Sequence, residues 1–453
     1  MKNKIGGNKF ACFLLVFLSF QLSSLNAQNY HSIAHSEWSK DAVIYEVNVR
    51  QYTPEGTFKA FEKHLPDLKK LGVKILWLMP INPIGELNRK GSLGSYYSVK
   101  DYKAVNPEFG SIDDFKNLVS KIHSMGMKVI IDWVANHTSW DNVWVKTHPE
   151  FYTRNAEGNL VPPVADWADV IDLNYENKEL WKYMIDAMRY WIKDCDIDGF
   201  RCDVAAMVPT EFWIEVRKEL AQNKNDIFML AEANENYLHQ AFDMTYNWPL
   251  KDFMNDIAQG KKKAVDLIDF FEKEKKEYNA DDYRMDFTTN HDENTWNGTE
   301  YERLGNAAET FGVFCEVIKG MPLIYSGQEA GMNKRLRFFD KDTIDWKPNP
   351  MRNIYTQLNE LKKNNKALWN GIAGGEMQFI TTENYDVLSF VREKDGNKIL
   401  AVFNMSPKEQ SVKLTSKLIK GNYSILFNDN KKVELPDDLL INLKPWQYFI
   451  YFK

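Results

Sequence analysis

The chain has 453 residues, 44% of them apolar and 26% charged, with a formal net charge of −6. That composition excludes an intrinsically disordered chain and supplies core for one large domain with a smaller companion, or for two to three modest domains. The acidic balance argues against a nucleic-acid partner held through phosphate contacts.

Residues 1–27 read as a secretory signal peptide. Lys2, Lys4 and Lys9 form a basic start, residues 10–22 are mostly apolar, and a small, polar stretch ends at Ala27. A retained membrane anchor is the alternative, for which the apolar run is short. Cleavage after Ala27 predicts export, to the periplasm or the extracellular space. It would remove three lysines and no acid, taking the formal charge from −6 to −9. No later stretch is long and apolar enough to span a bilayer. Cys195, Cys202 and Cys315 would remain. They are odd in number, too sparse for a disulfide framework and without metal-ligand spacing, so they read as reduced core residues.

From about residue 41 to 361, strands alternate with helices. Apolar, β-branched runs at 42–49, 73–79, 128–134, 197–204, 227–233, 242–246, 284–289 and 322–325 predict eight strands, the sixth being the weakest. Phe58, Phe61, Leu65, Leu68 and Leu71 recur at helical spacing. So do Phe115, Leu118, Val119 and Ile122, then Leu180, Met184, Ala187 and Trp191, then Phe212, Val216 and Leu220. Alternation of this kind implies a parallel sheet, and eight units imply a closed TIM (β/α)₈ barrel over 36–138 and 172–365. The connection between Val134 and Leu180, rich in Trp, Pro and Asn, is too long for a plain turn and predicts a functional loop or small subdomain. After Leu361 the period changes to two. Val387, Ser389 and Val391, then 399–403, 412–414, 423–427 and 447–451, predict an antiparallel β-sandwich over 366–453.

The C-terminal ends of the barrel strands are unusually polar. Strand three ends in Asp132, Asn136 and His137, and strand four carries Arg201 and Asp203. Strand five ends in Glu232, and strand seven in Asn290, His291 and Asp292. Any one of these alone is as well explained by a helix cap or a satisfied barrel group. Four strand ends together point to a site, because that face of such a barrel carries the chemistry. Three carboxylates with one arginine suit glycoside hydrolysis, which needs an acid for the leaving oxygen and a carboxylate facing the anomeric carbon. Arg201, two residues before Asp203 on the same strand face, is expected to keep Asp203 ionised as the nucleophile. Glu232 follows Met229, Leu230 and Ala231 with no cation beside it in the sequence, as suits the general acid.

These segments resemble the α-amylase family of glycoside hydrolases (family 13). Asp132-Trp133-Val134-Ala135-Asn136-His137 is similar to its first conserved region, and Gly199-Phe200-Arg201-Cys202-Asp203-Val204-Ala205 to its second. Leu230-Ala231-Glu232-Ala233 is similar to the third, and Phe287-Thr288-Thr289-Asn290-His291-Asp292 to the fourth. The resemblance implies that Asp203 forms a covalent glucosyl intermediate, that Glu232 is acid and then base, and that Asp292 binds sugar hydroxyls. It implies further that Tyr97, His137, Arg201 and His291 hold the sugar at the cleavage point. The connection after strand three corresponds to the family's domain B, here a short insertion over 139–171, and the C-terminal sheet to its domain C. Calcium is the one cofactor implied. Asn136 and Asp172 are its candidate ligands, and the alternative is that both tie domain B down by hydrogen bonds. Ala206-Met207 stands where many amylases have Lys-His, which weakens both a typical endo-amylase reading and the calcium site. Val204, after the nucleophile, resembles members that cleave α-1,6 bonds, so linkage stays open. The expected partner is an α-glucan or malto-oligosaccharide substrate; the oligomeric state is left open. The competing readings are a transglycosylase, an α-1,6-glucosidase and a non-catalytic glycan-binding homologue.

Overall fold

The structure, a computed structural model, describes residues 30–453; the proposed signal peptide at 1–27 lies outside the described residues. Eight parallel strands close into a barrel: β1 (Ile44–Val47), β2 (Ile75–Leu78), β3 (Lys128–Trp133), β4 (Gly199–Cys202), β5 (Phe228–Ala231), β6 (Met244–Tyr246), β7 (Tyr283–Asp286) and β8 (Met321–Tyr325). Each strand pairs with its neighbour in sequence, and β8 closes on β1 through the pair Ile44 and Leu323. All eight fall within a residue of the expected runs, the weak sixth included.

Side chains alternate along a strand, so each strand has one phase in and one phase out. Ile44, Ile75, Trp77, Ile130, Phe228, Leu230, Met244, Met285, Met321 and Leu323 share one apolar cluster, the filling of the barrel. The opposite phase packs outward on the helices: Tyr45, Leu76, Val129, Ile131, Phe200 and Met229 belong to a separate cluster with Phe115, Leu118, Trp191 and Phe212. β4 contributes no bulk to the filling, because Gly199 occupies its inward position. Its φ is 153°, and a Cβ there would lie 1.8 Å from the Phe228 carbonyl oxygen. Only glycine lets β4 and β5 approach this closely.

Three of the four helical patterns become the helices Ile112–Ser124, Lys178–Asp194 and Thr210–Ala221. The pattern from Phe58 to Leu71 divides into Phe58–Glu62 and Leu65–Leu71. Pro66 is the cause: it has no N–H, and its ring conflicts with the carbonyl four residues back, at Glu62, where the first helix stops. After β3 the chain makes a small antiparallel hairpin, His137–Ser139 against Val170–Asp172, enclosing the short helix Val143–Thr147.

The C-terminal region has a six-stranded antiparallel sheet and a two-stranded one, Gln410–Thr415 against Asp438–Leu443. The strands Val387–Lys394 and Asn397–Asn404 are buried on both faces. Leu388, Phe390, Ala401 and Phe403 pack on the barrel helix Ala308–Val317 through Phe311 and Phe314. Val387, Val391, Leu400 and Val402 pack on Val412, Leu414 and Ile441 of the smaller sheet. This double burial explains why residues 399–403 read as a continuous apolar run rather than an alternating one. Among the described residues no helix is long and apolar enough to cross a membrane.

Candidate active site

One more step along the inward phase replaces the apolar filling with polar groups. Glu46 stands over Ile44, Asp132 over Ile130, Glu232 over Leu230 and Tyr246 over Met244, while Arg201 and Asp203 follow Gly199. The sheet ladder continues past the strand ends. The Asp203 N–H donates to the Trp133 carbonyl at 3.0 Å and the Glu232 N–H to the Cys202 carbonyl at 2.9 Å. Sheet register therefore fixes the backbone of both carboxylates.

Arg201 is fully buried. A guanidinium there is tolerable only when surrounded by anions. Its Nη1 donates to Asp132 Oδ1 at 2.8 Å and Oδ2 at 3.0 Å, and to Asp203 Oδ1 at 3.2 Å. Nη2 lies 2.8 Å from Glu232 Oε1, an ion contact without the alignment of a hydrogen bond. Nε donates to the Tyr246 hydroxyl at 3.2 Å, and the guanidinium sits 5.0 Å from the Trp77 ring centroid. The expectation was that Arg201 keeps Asp203 ionised, and the structure gives the guanidinium two further carboxylates. Asp132 and Glu232 are its nearer partners, so Glu232 does have a cation beside it. Burial and the neighbouring Glu232 push the Asp203 carboxyl well above its ordinary range, while Arg201 pulls the other way. Asp203 therefore ionises later than the sequence implied.

Glu232 is held from its other side by backbone. Its Oε2 accepts the Val204 N–H at 2.8 Å. Val204 has φ 37° and ψ 48°, a left-handed conformation costly for a β-branched residue. The turn lets the residue after Asp203 donate to Glu232.

A second chain of contacts runs around the rim. His291 Nδ1 is 2.5 Å from Glu46 Oε1, and Nε2 is 2.8 Å from the Tyr97 hydroxyl, which donates to Asp132 Oδ2 at 3.0 Å. The Tyr97 proton is used on Asp132, so both His291 nitrogens act as donors and the ring is charged. Burial opposes that charge, but Asp292 and Glu46 outweigh it and raise the imidazole from 6.5 to about 9. Asp292 Oδ2 lies 3.3 Å from His291 Nε2, with its side chain 33% exposed at the mouth.

The structure thus gathers Tyr97, Arg201, Asp203, Glu232, His291 and Asp292 into one network. His137 lies beside the Tyr97 backbone, where burial lowers its imidazole to about 3 and leaves it neutral. Asn136 and Asp172 sit on the domain B hairpin: His137 pairs with Asp172, and the Asn136 carbonyl accepts the Leu173 N–H at 3.1 Å. Glu46, the bridging role of Asp132, and Tyr246 were missed in the sequence. A signal for Glu46 existed, since it is the one charge between Ala42 and Val49 and falls in phase with Ile44.

His291 carries a linked prediction. An imidazole raised from 6.5 to about 9 contributes stability that is complete below pH 6.5 and is lost as pH rises through about 9. Glu46→Gln is expected to weaken that loss and move it to lower pH. Thermal midpoints of both proteins from pH 6 to 10 check it; parallel curves would remove the Glu46–His291 coupling.

Comparisons with known proteins bear on the family and the fold. The family model described as the α-amylase catalytic domain matches residues 22–158 and 164–370, and that of the maltogenic amylase C-terminal domain matches 377–450. An α-amylase structure from Lactobacillus plantarum is 32% identical with a TM-score of 0.82, covering 92% of this chain and 99% of that one. The noncanonic maltogenic α-amylase AmyB from Thermotoga neapolitana is 32% identical with a TM-score of 0.83 and the same coverage. Alpha-amylase 3 of Dictyoglomus thermophilum is 26% identical over 96% of this chain and 97% of its own length. The chain belongs to the α-amylase family of glycoside hydrolases.

Proposed function

We propose that the protein is an exported, retaining hydrolase of α-glucosidic bonds in starch-like glucans or malto-oligosaccharides, of the maltogenic kind. The observation that carries this is the placement of Asp203 and Glu232 on adjacent strands around one buried guanidinium, with Asp292 across the same mouth. The maltogenic character of the matched C-terminal model and of AmyB supports the substrate class.

In this reading Asp203 attacks the anomeric carbon while Glu232 gives its proton to the leaving glycosidic oxygen. The C–O bond to the leaving sugar breaks and an ester bond to Asp203 forms. Glu232, now ionised, takes a proton from water, whose oxygen attacks the same carbon. The Asp203 ester bond breaks and the protonated acid is restored. Two inversions give retention. Arg201 steadies both carboxylates, and Asp292, part-exposed at the mouth, offers an acceptor to the sugar hydroxyls. Because the attacking carboxyl must be ionised, activity is lost on the acid side as Asp203 takes up its proton.

The test is product release from maltoheptaose, amylopectin and isomaltotriose by wild type and Asp203→Asn. Cleavage by wild type that falls by about 10⁴-fold or more in the variant is expected. The linkage cut and the anomer released are read in the same run. Longer oligosaccharides at high substrate would point to transfer instead, and no activity on any of the three would remove the α-glucan reading.

Two further parts of the proposal stand on single observations. Asp172 is half-buried on the domain B hairpin, and among the described residues no cation pairs with it. A calcium ion sharing the Asn136 amide oxygen and the Asp172 carboxylate would supply that missing charge. Chelation is expected to lower the thermal midpoint and added calcium to restore it; an unchanged midpoint would leave Asn136 and Asp172 as hydrogen-bonding anchors. Export rests on the basic, apolar and small-residue order of residues 1–27. The mature protein recovered outside the cytoplasm should begin at Gln28, which N-terminal sequencing reads directly.

A further inference from the structure

Trp296 is 52% exposed, although the segment carrying it is tightly held. It lies four residues after Asp292 in a short π-helical turn, Glu293–Asn297. Such turns are rare and concentrate at functional sites. The turn is stapled to the loop after β8 by the two residues that precede the tryptophan. Asn294 Nδ2 donates to the Lys334 carbonyl at 3.0 Å, and Asn294 Oδ1 accepts the Leu336 N–H at 2.8 Å. The Thr295 hydroxyl donates to the Leu336 carbonyl at 3.1 Å. Glu293 and Asn294 are buried. A large apolar ring is thus presented to solvent by backbone that is pinned in place.

The ring does not stand alone. Its centroid is 5.3 Å from Phe338 and 5.8 Å from Phe339. Phe338 in turn lies 6.1 Å from Tyr97 with ring planes 11° apart, and 6.4 Å from His291 at 28°. Tyr97 and His291 are 5.6 Å apart at 18°. The three rings lie near-parallel in mutual contact and form one contiguous aromatic surface. Trp296 extends that surface outward from the cleavage point, no more than about 11 Å from Tyr97. These rings come from the loops after β2, β7 and β8, whereas the leaving side of the bond faces Glu232 at the end of β5.

We propose that Trp296 is a sugar-stacking subsite that binds a glucosyl unit of the α-glucan on the non-leaving side of the scissile bond. The flat C–H face of a pyranose suits an exposed indole, and the pinned turn spares the entropy of ordering the ring on binding. The inference rests on the α-glucan reading above and adds to it a preference for chains long enough to reach Trp296.

The test compares maltoheptaose with maltotriose. Trp296→Ala should lower kcat/KM for maltoheptaose by about tenfold and for maltotriose by much less, with Trp296→Phe recovering most of the loss. Binding is read separately in Asp203→Asn, where maltoheptaose should quench tryptophan fluorescence and the added Trp296→Phe change should remove part of that quench. Equal losses on both substrates, no loss on either, or a quench unaffected by Trp296→Phe would overturn the subsite while leaving the hydrolase reading intact. A wild type that neither cleaves nor binds maltoheptaose would overturn the α-glucan reading and the subsite with it.

Discussion

The Arg201 guanidinium is buried at the top of an apolar barrel, and the arrangement around it follows from that placement. A full positive charge out of water needs anions close by, and β3, β4 and β5 each supply one: Asp132, Asp203 and Glu232. Those anions are themselves costly to bury, and cation and carboxylates are stable only as a set. The set also requires that β4 carry no bulk at its inward position, since the filling below it is already complete. Gly199 meets that requirement, and the close approach of β4 to β5 that it permits brings Asp203 and Glu232 to one guanidinium. A packing constraint inside the barrel and an electrostatic one at its mouth are thus met by the same four-residue strand.

Around this centre the charges alternate in sign through successive elements. Glu46 on β1 holds His291 beyond β7, His291 meets the Tyr97 hydroxyl, Tyr97 donates to Asp132 on β3, and Asp132 binds Arg201 on β4. Each link joins residues far apart in sequence and fixes the donor or acceptor state of the next. Tyr97 can give its single proton to Asp132 only because His291 has one to give to Tyr97. Such a chain has little freedom to reorient when a sugar arrives, which is what preorganised stabilisation of developing charge requires.

Much of this was legible in the sequence because barrel strands are short, apolar and buried, and charges inside such runs stand out. Arg201, Asp203, Glu232 and Asp292 each interrupt or end an apolar run, and the eight runs themselves set the fold. What the sequence hid was partnership across strands. Arg201 and Asp203 are two residues apart, so proximity in the chain suggested a pair. The nearer partners, Asp132 and Glu232, come from neighbouring strands whose register no local pattern reveals. Glu46 was hidden for a different reason: a single carboxylate in a strand looks like a surface residue until its phase is compared with that of Ile44. In the C-terminal sheet the burial of both faces erased the alternation at 399–403, where the apolar run alone marks the strand. The edge strands Gln378–Phe379 and Lys432–Leu435 are too short and polar to show one.

The left-handed turn at Val204 leaves a mark on how this site can change over generations. The hydrogen bond to Glu232 comes from the main chain, so it belongs to the path of the backbone and not to the identity of the side chain. Any residue other than proline supplies the same donor, and glycine or asparagine would adopt the turn with less strain. A change of side chain at position 204 therefore leaves in place the donor that holds Glu232. A side chain next to Asp203 can be exchanged without first dismantling the Asp203–Glu232 pair. What can vary and what must stay are, at this one residue, carried by different atoms.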